Sequence, residues 1–323
     1  MVHTVRIGTR ASKLARLQTQ MVVDKIASAF PQERIEVVLV TTGGDKTLDK
    51  PIAEIGTRGV FVKELEEALL RSEVDLVVHS LKDMPTDVPR GLCLAAVLER
   101  EDPRDVLVCR SAAVQAASGT ALDALPAGAA IATSSRRRAA QLSSKRGDLR
   151  FIDIRGNIDT RLKKLDDGYS DAIILAAAGL KRLGLEKRIS QYFSAEELTP
   201  AAGQGTLAVE CRSSDERALE ILKSIDDPSA RAESECERAF LSKLGGGCSV
   251  PIGALARLEG DRLTLSGCVA SLDGSRVLRM SLSGSADDPM KLGENLAVAL
   301  LGCGAQPIVE QLRLSLPSEI SPP

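Results

Sequence analysis

The amino-acid sequence predicts an α/β protein, two successive α/β units followed by a smaller α+β unit. Three observations carry the prediction. Short apolar runs alternate with helix-period segments over roughly the first hundred residues. The alternation resumes after Pro103. The tail then changes pattern: a helix, three consecutive glycines, and strands separated by tight turns.

Each element has a local reason. Val5 to Ile7 reads as a strand that Gly8-Thr9 ends. Arg10 to Ala29 reads as a helix with Leu14, Leu17 and Met21 on one face, stopped by Pro31. Ile35 to Val40 is a continuous apolar run, the pattern of a buried parallel strand. Phe61 to Arg71 places Phe61, Leu65, Ala68 and Leu69 on one helical face, and Asp75 to His79 is the next strand. This βαβαβ rhythm predicts a parallel sheet. In the second unit, Ile131-Ala132 leads into Ser134-Ser135 and a helix. Phe151 to Ile154 is a strand running into Arg155-Gly156-Asn157 and a helix that lasts to about Asp166. Ala172 to Ala178 reads as a strand, Thr199 to Gly205 as a hinge, and Leu207 to Cys211 as a further strand. The tail holds a helix from Arg231 to Leu244, turns at Glu259-Gly260 and Asp273-Gly274, and a last helix from about Met290 to Leu301.

Composition excludes several classes of function. The chain has 323 residues with net charge −2, and aromatics make up 2%. Neither a global basic field nor stacking platforms for nucleic acid are available. No apolar run approaches the ~20 residues of a bilayer span. The N-terminus lacks a signal-type apolar core, so the chain reads as cytosolic, or as organellar after removal of a transit segment. Seven Cys with no C-x-x-C pair argue against a disulfide framework or a zinc site. With only two His, His3 and His79, metal or Ser-His-Asp chemistry has little to work with. His79 reads as a hydrogen-bonded strand residue.

Three strands run into loops that carry Arg and open a helix: Thr9-Arg10-Ala11-Ser12, Thr133 to Arg138, and Arg155-Gly156-Asn157 with Arg161 one turn on. Ser and Thr suit N-caps there. Arg near a helix N-terminus opposes the dipole, so its repetition makes sense where an anion sits on the same spot. From Ile131 to Arg161, eight Lys or Arg stand against three Asp, net +5. Ligands of open α/β sheets bind at the carboxyl ends of strands. The pattern predicts a cleft for a ligand with several carboxylates or phosphates; a solvated helix face is the plainer reading of any one run. No phosphate-binding glycine motif points to a nucleotide.

One acid stands in this setting. Lys82 and Asp83 follow the strand ending at His79, ahead of Pro85. Asp83 is either a surface acid paired with Lys82 or a group that holds a developing cation or moves a proton. Among the cysteines, Cys93, Cys109, Cys211 and Cys268 lie in or beside apolar runs, and Cys236 and Cys303 on or near helices, all as structural residues. Cys248 differs, because Gly245-Gly246-Gly247 precedes it and Pro251 follows. It is either structural as well or an exposed nucleophile or attachment point.

These residues together resemble the porphobilinogen deaminase family. The resemblance runs in order from residue 5 to about 256. It rests on Ile7 to Ala15, His79-Ser80-Leu81-Lys82-Asp83-Met84-Pro85, Glu101 to Asp105, Thr133-Ser134-Ser135-x-Arg137-Arg138, Arg155-Gly156-Asn157, Ala178 to Leu183, Gly203-Gln204-Gly205 and Gly246-Gly247-Cys248-x-Val250-Pro251. It implies two periplasmic-binding-protein-like α/β domains (1–102 with 203–225, and 103–202) and a smaller α+β C-terminal domain (226–323). It implies a dipyrromethane cofactor joined by a thioether to Cys248. The substrate is porphobilinogen: four units condense head to tail with loss of ammonia, and hydroxymethylbilane is released. A monomer that binds neither nucleic acid nor membrane is implied too. Asp83, Lys82 and Arg10 take catalytic roles in this pattern. Asp83, Lys82, Ser135, Arg137, Arg138 and Arg155 hold the cofactor, and Arg10, Ser12, Arg155, Arg161, Arg182 and Gln204 serve the substrate. Arg58 stands where the family more usually has Lys, and Arg136 where Leu is expected. Two rivals remain: a solute-binding module, which needs no covalent adduct, and a Cys acyltransferase, which needs a base near Cys248.

Overall fold

The computed structural model describes residues 4–41, 62–111, 119–246 and 250–315. His3, Arg58, Phe61 and Cys248 lie outside the described residues. Among those described, three sheets form.

The first sheet holds β1 (Thr4–Thr9), β2 (Arg34–Leu39), β3 (Leu76–Ser80) and β4 (Leu92–Val97), and receives a late strand, β10 (Leu207–Arg212), in the order β2-β1-β3-β10-β4. The second holds β5 (Asp105–Cys109), β6 (Ala130–Ala132), β7 (Arg150–Ile152), β8 (Ala172–Ala176) and β9 (Gln191–Tyr192), in the order β7-β6-β8-β5-β9. The two orders correspond. In each sheet four strands run in the same direction, and a crossing strand inserts antiparallel among them. The sheets are therefore mixed, where the βαβ rhythm predicts parallel ones. The rhythm could not disclose this, because β5 and β10 reach their sheets by crossing over rather than through a helix.

Ser12 and Ser135 cap helices as expected. Ser12 Oγ accepts from Ala15 N at 3.2 Å, and α1 runs Lys13–Ala29. Arg10 therefore lies in the loop before the cap, not in the helix. The expected face of α1 is also displaced. Gln18, Thr19, Val22 and Ile26 are buried, whereas Met21 is exposed. Polar residues can face the sheet because they find partners: Gln18 Nε2 donates to Ser80 Oγ at 3.0 Å and Thr19 to the Thr9 hydroxyl at 2.7 Å.

Two further expectations change. The Ile35–Val40 run is parallel to β1, but it forms the sheet edge, with Leu39 58% exposed. The strand expected to reach Ala178 stops at Ala176, where alanine's helix propensity lets a helix begin at Ala177. The remaining helices before the third sheet are α2 (Lys63–Leu70), α3 (Arg136–Ser143), α4 (Ile158–Asp166), α5 (Ala177–Arg182) and α6 (Glu216–Lys223).

The third unit has α7 (Pro228–Lys243), an antiparallel sheet of β11 (Ile252–Glu259), β12 (Arg262–Ala270) and β13 (Val277–Ser285), then α8 (Pro289–Leu300) and α9 (Gln306–Ser315). Phe240, Leu265, Val269, Leu296 and Ile308 fill its core. Contrary to the sequence expectation, one stretch, Pro289–Leu312, is long and apolar enough to cross a membrane by length and composition. Leu292, Leu296, Leu300, Ile308 and Val309 bury its apolar face in that core, and Gly304 kinks it at φ 102°. Arg100 ties this unit to the first sheet. Its fork grips Glu237 of α7 at 2.7 and 2.8 Å, and Glu237 also accepts from Gly203 N at 2.6 Å and Ala256 N at 2.8 Å.

Candidate active site

The site forms where two chain segments cross between the first and second sheets, one between β4 and β5, the other leading into β10. Gly205 lies on the second crossing at φ 92°, and a Cβ there would run into the Glu101 carbonyl of the first. Gln204 joins the segments. Its Nε2 donates to the Pro103 carbonyl at 2.7 Å and to Asp105 Oδ1 at 2.9 Å, while its Oε1 accepts from Lys82 Nζ at 3.3 Å.

Lys82 and Asp83 sit on a single turn of 3₁₀ helix, Leu81–Asp83, directly after β3. The turn is pinned at both ends. Leu81 N donates to the Thr206 carbonyl at 3.0 Å, and Met84 N to the Leu81 carbonyl at 3.1 Å. Leu81 and Met84 are buried, so Asp83 projects outward and is exposed. It lies within electrostatic reach of Lys82 beside it and of Arg138 and Arg161 from the second sheet's helices.

The Arg-rich helix α3 has a counter-ion that the sequence reading did not single out. Asp105, fully buried at the start of β5, accepts from Arg137 Nη1 at 2.7 Å and from Arg138 Nε at 2.9 Å. Burial by itself would raise the Asp105 carboxyl; Arg137 and Arg138 override it and hold the carboxyl well below the usual range. Both guanidiniums also donate to backbone, Arg137 to the Thr199 carbonyl at 2.7 Å and Arg138 to Ile174 at 2.9 Å. The charge count over 131–161 could not include Asp105, which stands outside it. The signal available was Asp105 itself, an acid opening an apolar strand. Arg136 is exposed.

Burial disfavours the charged form of several cations here. Burial pushes the Lys82 ammonium down to about 8; Asp83 opposes the shift and Arg138 adds to it. Burial likewise lowers Arg138, Arg161 and Arg182, and Arg138 adds to the effect on Arg161. Arg182 Nη2 donates to the Gly205 carbonyl at 2.7 Å, but its buried Nε has no partner among the described residues. Such a set is relieved by anions. Carboxylates fit it in charge and in donor type.

The other predicted residues fall around this cluster. Arg155 is half-buried, 3.4 Å from Asp153, and Arg161 Nε donates to the Gly156 carbonyl at 2.7 Å. Ser135 Oγ accepts from Arg138 N at 3.4 Å, so Ser12 and Ser135 each accept a cap bond and keep a hydroxyl proton to donate. Arg10 is half-buried at the end of β1. Lys13, Arg16, Leu17 and Gln20 of α1, with Arg182, line a groove of about 570 Å³ that borders the cluster without including Asp83. Lys13 and Arg16 were not assigned from sequence. His79 is a strand residue as expected, buried with Nε2 3.0 Å from Glu210 on the neighbouring strand, but that nitrogen makes no hydrogen bond among the described residues, where the sequence predicts a hydrogen-bonded side chain. Of the cysteines, Cys303 is exposed rather than packed, because the kink between α8 and α9 turns it outward.

The Lys82 shift has a measurable consequence. A lysine whose pKa is lowered keeps its charge only below that value, so kcat/KM is expected to fall as pH rises through about 8. The limb should disappear in Lys82→Arg, and pH–rate profiles of the two proteins check this.

Comparison with known proteins identifies the family. Residues 5–220 match the family model described as porphobilinogen deaminase, dipyromethane cofactor binding domain, and residues 232–302 match porphobilinogen deaminase, C-terminal domain. A curated porphobilinogen deaminase of Roseiflexus castenholzii is 50% identical over 309 residues, covering 96% of this chain and 99% of its own. One from Desulforudis audaxviator is 46% identical over 313 residues, 97% of this chain and 99% of its own. Among solved structures, the methionine binding protein MetQ aligns with 69% of this chain and 88% of its own, at TM-score 0.42 and 12% identity. Matched along nearly its whole length by curated relatives and by both family models, the chain belongs to the porphobilinogen deaminase family, transferases with a dipyrromethane cofactor.

Proposed function

We propose that this enzyme condenses four porphobilinogen molecules head to tail, with loss of ammonia at each addition, and releases hydroxymethylbilane by hydrolysis. The observation that carries the reading is the exposed Asp83, pinned on its turn and faced by Arg138 and Arg161. Each porphobilinogen carries an acetate and a propionate, so the growing chain is a polycarboxylate. Loss of ammonia leaves an azafulvene cation, for which Asp83 is the counter-charge, and its carboxylate also accepts from pyrrole N–H groups. Lys82 and Arg10 assist transfer. Ser135, Arg137, Arg138 and Arg155 hold cofactor carboxylates, with Asp105 fixing the two guanidiniums of α3. Ser12, Arg155, Arg161 and Arg182 receive substrate carboxylates, and Gln204 keeps the crossing segments together. Dipyrromethane, when bound, supplies the nucleophilic pyrrole carbon. Cys248 is its thioether anchor, and a thioether resists the hydrolysis that frees product. The enzyme works as a cytosolic monomer of three domains, 1–102 with 203–225, 103–202 and 226–323.

Intact-mass measurement on freshly purified protein tests the anchor. The expected mass exceeds that of the sequence by one dipyrromethane, with a colour reaction to p-dimethylaminobenzaldehyde, and both vanish in Cys248→Ser. An unmodified mass in active enzyme rules the tether out.

A further inference from the structure

Two cysteines that this chemistry does not use face each other across the first sheet. Cys93 lies on β4, the edge strand, and Cys211 on β10; they are direct partners in the antiparallel register, with sulfurs 3.8 Å apart. Directly opposed residues of antiparallel strands have Cα atoms about 4.5–5.5 Å apart. Disulfides span Cα separations of about 4.4–6.8 Å. The register thus places the two backbones within the span of a disulfide, and the sulfurs, 3.8 Å apart, must approach to about 2.0 Å to bond. We propose that Cys93 and Cys211 form a reversible intramolecular disulfide by exchange with a small-molecule disulfide such as oxidised glutathione.

Accessibility sets the order of events. Cys93 is half-buried and Cys211 fully buried. Burial, and then the neighbouring Cys93, push the Cys211 thiol up, so it is a poor first nucleophile. The Cys93 thiolate attacks the small disulfide, forming a mixed disulfide and expelling one small thiolate. Cys211 then gives up its proton and attacks the Cys93 sulfur, and the second small thiolate leaves. The protein loses two electrons and two protons, and one small disulfide becomes two thiols. The bond ties the edge strand to the strand that brings the chain back from Gln204, and it closes a long loop between distant points of the sequence. Cys109, Cys236 and Cys268 are buried on other elements and Cys303 lies in the third unit, so none competes as a cross-strand partner.

The test is thiol mapping of the holoenzyme after incubation with oxidised glutathione and quenching by an alkylating agent. The expected result is loss of two alkylatable thiols, a peptide pair joining Cys93 to Cys211, and a mass lower by two hydrogens, all reversed by dithiothreitol. Cys211→Ala should stop at a stable glutathione adduct on Cys93, and Cys93→Ala should leave Cys211 reduced. An adduct that persists on Cys93 in the unaltered chain overturns the proposal. So does a link from either cysteine to a different partner, or full retention of both thiols at a large excess of oxidant.

Discussion

Asp83→Asn is expected to lower kcat by at least about 10²-fold, the lower range for loss of a positioned acid or base, while leaving the melting midpoint unchanged. The two halves of this result have separate causes. Asp83 is exposed and belongs to no core cluster, and its turn is held by backbone bonds at Leu81 and Met84 and by those buried side chains. Removing one charge therefore costs the fold little. For the chemistry, the amide keeps the size of the carboxylate but cannot carry the negative charge that faces Arg138 and Arg161. Steady-state kinetics beside thermal denaturation separates the two, and near-normal turnover would remove Asp83 from the mechanism.

Asp105→Ala should produce the largest loss of stability, about 3–5 kcal/mol, as expected when one partner of a buried ion pair is deleted. Arg137 and Arg138 are both buried and both bonded to this carboxylate, so the variant leaves two guanidiniums without their counter-ion. The pH dependence has a definite sign. The folded carboxyl lies well below its unfolded value of about 4. Its contribution is therefore fully present above about pH 4 and is lost as pH falls below that. Urea denaturation at neutral pH should show the deficit, and the gap between the variant and the original protein should narrow on acidification. An equal deficit at every pH would mean that packing, not charge, is what Asp105 contributes.

Much of the site was legible because its signals are local. Ser12 and Ser135 were recognisable as caps from residue type ahead of a helical pattern, and both accept the cap bond. The turn carrying Lys82 and Asp83 was readable from an apolar strand followed by Pro85. Asp105 was not, since it meets Arg137 and Arg138 from 32 and 33 residues away. The α1 face was misplaced because apolar spacing alone ignores that Gln18 and Thr19 find buried partners, while Leu17 turns to the groove.

The sequence by itself determined the kinds of element, their caps and turns, and the concentration of arginine where strands pass into helices. Period, cap chemistry and turn residues act within a few positions, so spacing reveals them. Only the tertiary structure decided that β10 lies between β3 and β4 and that β5 enters the second sheet antiparallel. It also decided that Asp105 offsets part of the arginine cluster, and that burial lowers Lys82, Arg161 and Arg182. The reason is physical: the cost of burying a charge depends on what else is buried beside it, and strand crossover, which no linear spacing records, sets those neighbours.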